Sequence, residues 1–525
     1  MTDASASSTS SSRRLTLRQA WLLSAATGFL SLAWEIVWMR LYNFTTSSRA
    51  LAFGLMLGAY LLGLAVGSLW SRKWQRLGTD GTAPLGTLAG LISRANLVAF
   101  LVVPLVSWLV MVMWWPWTLL IVMGAAAALG TILPLICHLA IPPDAQAGQR
   151  MAGVYLANII GSGLGSLLTG FVLMEWLPLV WLCTLLLLGG VVIAIALRLR
   201  AGMGAEVYSG YVVLLLIVPA IMLGYAGLWE RLHYRDDYQW GMKFAKAIES
   251  RHGVILVDDK GTIYGNGAYD GSLEVFLKPD SWLVRPYYIA ALHPKPKRVL
   301  VIGVSGGAWT QILAHHPDVE EVIGVEISDP YLRLIHDSPT VASLHHNPKV
   351  KLVIDDGRRW LKRNPNERFD LIMMNTTHHW REFASALLSR EFLELAKSHL
   401  AEGGIVAWNT TESLRSAKTG LVVFPESITL MNFFVGSDAP LVMDKGRWRS
   451  LLERWRMDDV PVFDLTTQQG REDLEKCVAF PDFEGPWERS HHWRWQDRAR
   501  IEARVGDAEI ITDDNLGHEF DWRNW

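Results

Sequence analysis

Three short stretches in the second half of this 525-residue chain carry residue types suited to gripping a polar ligand. Gly303-Val304-Ser305-Gly306-Gly307 follows an apolar run, Glu326 closes a second run 23 residues after Gly303, and Asp355-Asp356-Gly357 closes a third. Residues without bulky side chains let a ligand approach the backbone closely. A carboxylate at the end of the second run can take both hydroxyls of a ribose, and an acid after the third can accept from an adenine amino group. One such feature is weak, but three in this order predict a nucleoside site made by Gly303, Ser305, Gly307, Glu326, Asp356 and Gly357. No Arg follows the second run to meet a 2′-phosphate, and the turn lacks a full GxGxxG. An adenosyl sulfonium such as S-adenosylmethionine or its decarboxylated form therefore fits better than a dinucleotide.

Those residues need strands to carry them. Arg298–Gly303, Glu321–Glu326, Val350–Ile354, Phe369–Met374 and Gly404–Asn409 read as apolar strands alternating with helices, and Met431–Val435 as a sixth strand. That alternation predicts a doubly wound parallel sheet of the Rossmann-like α/β class, with ligands at the carboxyl ends of its strands. Ahead of it, Val254–Val257 and a strand ending at Tyr264 flank Asp258-Asp259-Lys260-Gly261, a hairpin signal. Residues 229–252 read as a linker and amphipathic helix.

The first half differs in kind. Half of all residues are hydrophobic, net charge is −2, and the mean hydropathy of +0.20 is high for a soluble enzyme. Ionisable residues are sparse between Ala20 and Gly227. Seven apolar segments, about 18–41, 50–71, 85–112, 115–141, 151–174, 178–197 and 208–228, are long enough to cross a bilayer. The stretch 85–141, which contains Arg94 and Asn96, is where a miscount is expected. Gly54 and Gly58, Gly63 and Gly67, and Gly161 and Gly165 have the spacing of close helix packing. Glu35 and Arg40 form an ionisable pair inside the first segment, read either as functional or as an interfacial anchor. Arg13, Arg14 and Arg18, then Arg72, Lys73 and Arg76, then Arg198 and Arg200 mark cytoplasmic ends by the positive-inside rule. Seven crossings would leave the C-terminal domain outside, whereas the supply of an adenosyl compound argues for the cytoplasm. The domain plan is a disordered 1–17, a transmembrane helical bundle over 18–228, a linker and small β region over 229–297, the Rossmann-like core over 298–440 and an extension over 441–525.

The segments VLVIGVSGGAW, VEEVIGVEIS, VKLVIDDGRRWL, FDLIMMNTT and GGIVAWNTT resemble the spermidine synthase (polyamine aminopropyltransferase) family. The helical half, through GFLSLAWEIVWMRL and VYLANIIGSGLGSLLTGFVL, resembles the domain fused to many bacterial members, and Thr512-Asp513-Asp514 is similar to the family's TDD motif. The resemblance implies that Glu326 binds the cofactor ribose and that Asp356 lies beside the adenine. It also implies departures. Gly306 stands where the family turn has its aspartate, and Ser305 where it has a glycine. Asn375 and His378 replace the two aspartates of the catalytic DxxDP, and His252-Gly253 replaces a Tyr-Gln pair. Asn375, His378 and Asp270 are thus the candidate catalytic residues. His378 is read as a base with a pKa near neutrality or as a loop histidine, and Asp270 as the carboxylate that holds an amine or as a turn residue. Asp513 and Asp514 either close the site or cap a turn.

The resulting expectation is a membrane-bound transferase moving an aminopropyl or related alkyl group to an amine. An Asn cannot accept a proton and a His is a poor partner for a polycation, so free putrescine is not expected; the attached helical bundle, and no motif, suggests a membrane-associated acceptor such as a lipid head group. An S-adenosylmethionine-dependent methyltransferase, or a non-catalytic nucleoside-binding scaffold or sensor, are the alternatives, since fold alone does not fix chemistry. Expected partners are the lipid bilayer and a small amine or lipid head group, with a second copy of the chain as a further candidate; no nucleic acid is expected. Cys137, Cys183 and Cys477 have no metal or disulfide spacing, and the doublets His315-His316, His345-His346, His378-His379 and His491-His492 lack the accompanying ligands of a metal site. Tryptophans between Trp487 and Trp525 are read as tail packing or bilayer contact.

Overall fold

The computed structural model describes the chain apart from residues 1–14, 77–81, 204–211, 213–217, 220–221, 280, 282, 376–377, 480–495, 518 and 521–525. The tail tryptophans, His491-His492 and residues 1–14 of the start expected to be disordered fall outside the described residues, whereas Leu15, Thr16 and Leu17 are described. Two compact units emerge, one of residues 1–48 and 52–254, the other of residues 49–51 and 255–525.

Among the described residues of the first unit, six helices are long and apolar enough to cross a membrane: α1 (Leu17–Thr45), α2 (Ala50–Gln75), α3 (Ala83–Leu109), α4 (Trp115–Ala140), α5 (Ala147–Trp176) and α6 (Leu179–Ala201). Each exceeds the roughly 20 residues that a hydrocarbon core requires. The stretch 85–141 resolves into two helices, and the seventh segment lies largely outside the described residues. Thr16 starts α1 with a capping box, its hydroxyl accepting from Gln19 N–H while the Gln19 side chain accepts from Thr16 N–H.

Two of the three glycine pairs lock helices together. A Cβ on Gly161 or Gly165 would stand 2.0 or 2.3 Å from the carbonyls of Ala25 or Phe29 on α1. On α2, a Cβ on Gly63 or Gly67 would meet the Met123 or Ala127 carbonyl of α4 at 2.4 or 2.0 Å. Only glycine allows backbones so close. Gly54 and Gly58 meet no neighbour within 4 Å, so the shared spacing serves packing at two places and not at the third. Glu35 is buried on α1 beside Trp34, whose indole N–H donates to Asn96 at 2.9 Å, and Arg40 donates to the Arg251 carbonyl at 3.2 Å. The expected amphipathic helix after 229 is confined to α7 (Leu228–Tyr234); Lys246–Ser250 is a strand, β1.

The second unit begins with the antiparallel meander β2 (Gly253–Val257), β3 (Thr262–Gly265) and β4 (Ala268–Ser272). Ile255 faces Gly265 and Val257 faces Ile263, as the hairpin signal predicts. Asp258 holds the turn by accepting from the N–H groups of Lys260 and Thr262 at 2.9 and 2.8 Å.

The large sheet contains β5 (Arg298–Ile302), β6 (Glu321–Glu326), β7 (Val350–Ile354), β8 (Phe369–Met374), β9 (Leu400–Asn409), β10 (Glu426–Leu430), β11 (Phe433–Ser437) and β12 (Gln496–Asp497). Its order is β12-β10-β11-β9-β8-β5-β6-β7. From β9 to β7 all neighbours are parallel, while β11, β10 and β12 add antiparallel pairs. The Rossmann-like expectation holds, with a correction: the sheet is mixed, and Met431–Val435 is replaced by a two-strand hairpin turning at Met431 and Asn432. Met431 takes a left-handed φ of +53° there, a turn that no glycine announces in the sequence. Apolar clusters cover both faces of the sheet, one around Val299, Val301 and Leu371 and the other around Leu300, Ile372 and Val406. Burial on both sides is why these strands read as unbroken apolar runs.

Candidate active site

The chain turns from β5 to β6 and β7 on one side, then crosses to β8 on the other. The crevice at the carboxyl ends of β5 and β8 is therefore a topological switch point, where open α/β sheets take ligands. Gly303 leaves β5 with φ +81° and donates its N–H to the Val325 carbonyl at 2.9 Å. A Cβ there would stand 3.1 Å from the Asn375 carbonyl. Asn375 leaves β8 and donates its own N–H to the Ile302 carbonyl at 2.9 Å. The two residues thus flank the crevice.

Glu326 is buried at the end of β6. One of its oxygens accepts from Ser305 N–H and the other from Ser328 N–H, both at 3.0 Å. Burial raises its pKa, and the backbone N–H groups work against that shift. Each carboxylate oxygen has two lone pairs. Acceptor capacity left on this carboxylate suits the donors of a vicinal diol, so the carboxylate fits a ribose. Ser305, with φ +50°, keeps the left-handed backbone of the glycine that the resemblance puts there, and its Oγ donates to the Asp270 carbonyl at 2.8 Å. One residue thereby ties Glu326 to Asp270.

The remaining predicted residues divide by role. Gly307 begins the helix α8 (Ala308–Ala314), and a Cβ on it would meet Leu344 at 2.8 Å and Ile335 at 3.0 Å. On Gly357 a Cβ would meet Ile302 at 2.4 Å. Packing accounts for both glycines. Asp356 caps α10 (Gly357–Arg363), accepting from Arg359 N–H at 2.7 Å. Asp355, whose N–H bonds to the Glu326 carbonyl at 3.0 Å, is held by Arg359. Over Gly306, Ile263 and Leu273 fill the space a side chain would need, at 2.1 and 3.2 Å from a Cβ. The lost aspartate of the turn and the apolar residues of the meander go together. Asp513 accepts from Arg358 at 2.7 Å and from the Ser389 hydroxyl at 2.6 Å, which makes it a clasp for the end of the chain.

Asp270 is where sequence reasoning missed most. Its Oδ1 accepts from Arg381 Nη1 at 2.7 Å, its Oδ2 accepts from the Tyr331 hydroxyl, and Arg381 Nη2 donates to the Gly265 carbonyl at 2.6 Å. Tyr331 projects from α9 (Asp329–His336), the helix that follows Glu326. A Cβ on Gly265 would stand 2.1 Å from Asp270 Oδ2 and 2.4 Å from the Tyr331 oxygen, so the cluster requires glycine at that place. Burial acts against the Arg381 charge, but Asp270 and then Tyr331 outweigh it and raise the guanidinium pKa. Burial and Asp270 push the Tyr331 phenol well up. A lone arginine seven residues beyond β8 gives no signal in the sequence, because its partner lies 111 residues away.

His378 is mostly buried, with its ring stacked on Trp380 at 4.7 Å and 20° and its Nδ1 lacking a hydrogen-bond partner. Burial first, and then the Arg381 charge, lower its pKa to about 4. A near-neutral base is therefore not what stands here: the imidazole is uncharged throughout the physiological range. Beside the histidine loop, at the end of β9, a cavity of about 530 Å³ is lined by His379, Thr411, Glu412, Arg415 and Glu509 among others. Among the described residues no group of three His, Cys, Asp or Glu could hold a metal.

Residues 289–419 match the spermine/spermidine synthase domain. The second unit contains a spermine/spermidine synthase domain. Similar proteins include a polyamine aminopropyltransferase of Thermococcus onnurineus, 33% identical over 124 residues, covering 23% of this chain and 43% of the relative. A spermidine synthase of Dictyostelium discoideum is 36% identical over 115 residues, 22% of this chain and 40% of the relative. The chain thus spans less than half the length of these two. A polyamine aminopropyltransferase of Mycobacterium tuberculosis is 24% identical over 452 residues, 78% of this chain and 82% of the relative. That is more than the second unit can supply, so this likeness extends into the helical unit. A solved spermidine synthase from Thermotoga maritima aligns with 46% of this chain and 86% of its own at 17% identity, with a TM-score of 0.34.

Proposed function

We propose that the synthase domain binds an adenosyl sulfonium nucleoside and transfers an aminopropyl group from it to an amine. The observation that carries this is Glu326: a buried carboxylate held by two backbone N–H groups at the switch-point crevice, with Ser305 joining it to Asp270. Gly303 clears the floor, Glu326 would take the ribose hydroxyls, and Asp356 would flank the base. Decarboxylated S-adenosylmethionine, when bound, supplies an electrophilic carbon attached to a sulfonium. The protein's own task is then to orient a neutral amine toward that carbon and exclude water, a positional contribution. Asn375 and the uncharged His378 can orient by hydrogen bonds; neither is suited to removing a proton from an ammonium.

We place the six apolar helices in a bilayer and the synthase domain on its cytoplasmic side, where adenosyl compounds are made. The acceptor is read as an amine associated with that membrane. The test is a calorimetric titration of the full chain with methylthioadenosine, alongside a transfer assay that offers decarboxylated and ordinary S-adenosylmethionine with a panel of amines. Aminopropyl product from the decarboxylated donor is the expected result. Methyl transfer from the ordinary donor would replace this reading with a methyltransferase, and binding without any transfer would leave a sensor.

A further inference from the structure

We infer that Arg381 sets acceptor choice: by occupying Asp270, it fits the site to a primary monoamine with an uncharged, apolar remainder and turns away diamines. This rests on the reading of the domain as an aminopropyltransferase. A diamine is dicationic at neutral pH, and holding it needs an unpaired carboxylate for the nitrogen that does not react. Asp270, a carboxylate close enough to act on His378, is not unpaired. Its charge is balanced by Arg381 on one oxygen while the Tyr331 hydroxyl donates to the other, and the bare backbone of Gly265 lets the three groups close on one another. Glu326 is engaged by two backbone N–H groups. Toward the neighbouring cavity, Glu509 is paired with Arg415 at 2.5 Å and Glu412 is exposed to solvent.

Beside the cluster lie aromatic rings and a second cation, Arg49, whose guanidinium sits 4.7 Å over Trp380. Tyr269 precedes Asp270 and is 41% exposed, while Trp380 precedes Arg381 and stacks on the neutral His378 ring. The rings offer contact to hydrocarbon, and the Arg49 guanidinium over Trp380 adds a positive charge that opposes a second ammonium. In the transfer itself the amine lone pair forms the new C–N bond as the C–S bond breaks. The electron pair goes to sulfur, and one proton leaves the nitrogen for solvent. A single basic nitrogen suffices for that balance. Arg381 touches none of the reacting atoms; it is a positioning and specificity residue.

Two amines of equal heavy-atom count separate the cases: n-pentylamine and 1,4-diaminobutane. The full chain in detergent, wild type and Arg381→Met and Arg381→Lys, is assayed with decarboxylated S-adenosylmethionine. Binding of each amine is measured separately in the presence of methylthioadenosine. Wild type should prefer n-pentylamine by at least tenfold in kcat/KM. Arg381→Met should shift that ratio at least tenfold toward the diamine, mainly by lowering its KM, and Arg381→Lys should restore the wild-type preference. Wild-type preference for 1,4-diaminobutane would overturn the inference even if Arg381→Met fails to fold. So would an unchanged ratio in an Arg381→Met protein that still binds methylthioadenosine. Should no amine be alkylated, the aminopropyltransferase reading falls; diamine binding gained in Arg381→Met and absent in wild type would still uphold the part played by Arg381.

Discussion

Glu326 combines two duties that a substitution can separate. Its oxygens hold the Ser305 and Ser328 N–H groups, so alanine would orphan two buried donors as well as remove the ribose carboxylate. Glu326→Gln keeps an acceptor and the volume but loses the charge and one acceptor site. Charge-assisted bonds run to about 1.5–3 kcal/mol. Calorimetry on Glu326→Gln should therefore show methylthioadenosine affinity lower by about tenfold to a hundredfold, with the thermal midpoint lowered less than in Glu326→Ala because only one buried N–H loses its acceptor, and equal affinity would remove Glu326 from the site. A second prediction concerns protons. His316 is fully buried against Trp455, and burial, then the Arg454 charge, lower its pKa to about 3. An unfolded histidine titrates near 6.5. Below that pH the unfolded chain binds a proton that the folded chain refuses, so stability is full above about 6.5 and declines as pH falls toward 3. The slope for one such group is about 1.4 kcal/mol per pH unit. His378, lowered to about 4, acts in the same direction. The melting curve of His316→Phe should flatten between pH 6.5 and 4; a slope equal to wild type would assign the acid loss to other groups.

Among the elements, helix packing yields a contrast within one helix. Gly67→Ala would drive a Cβ to 2.0 Å from the Ala127 carbonyl, while Gly54→Ala would enter open space. Overpacking of this kind costs about 1–3 kcal/mol. Thermal denaturation in detergent should show Gly67→Ala melting well below wild type and Gly54→Ala within about 1 kcal/mol of it, since alanine is the better helix former. If both variants behaved alike, the α2–α4 contact would not be what those glycines serve. The same contrast shows how far the sequence could be read. Strands β5 to β9 were legible because burial on both faces leaves unbroken apolar runs, and Glu326 because it ends such a run at a fixed distance from a glycine turn. The hairpin of β10 and β11 was not, since its turn at Met431 and Asn432 lacks glycine. The Asp270–Arg381–Tyr331 cluster was hidden for another reason: pairing across more than a hundred residues has no periodicity, and Gly265 reveals its purpose only when the atoms it admits are seen. Gly307 and Gly357 read as ligand contacts, and that packing also demands glycine at both positions is something spacing does not carry.

For the molecule as a whole, the six apolar helices predict that the protein stays in the membrane fraction through alkaline carbonate and high salt, because spanning helices are not released by loss of surface charge. Recovery in the carbonate supernatant would show that the helices lie outside the bilayer. The clasp of Asp513 on Arg358 and Ser389, and the pairing of β12 with β10, also bear on the order of events during synthesis. Translation proceeds from the N-terminus, and domains complete themselves as their last pieces emerge. The glycine turn, Glu326 and Arg381 leave the ribosome long before the strand that covers β10 and the aspartate that fastens α10. Until then β10 presents an uncovered edge, the kind of surface that templates association between nascent chains. If the apolar helices insert as they are made, a ribosome tethered by them would keep that half-made sheet apart from other copies, so the helical unit would shelter the sheet while it is being made.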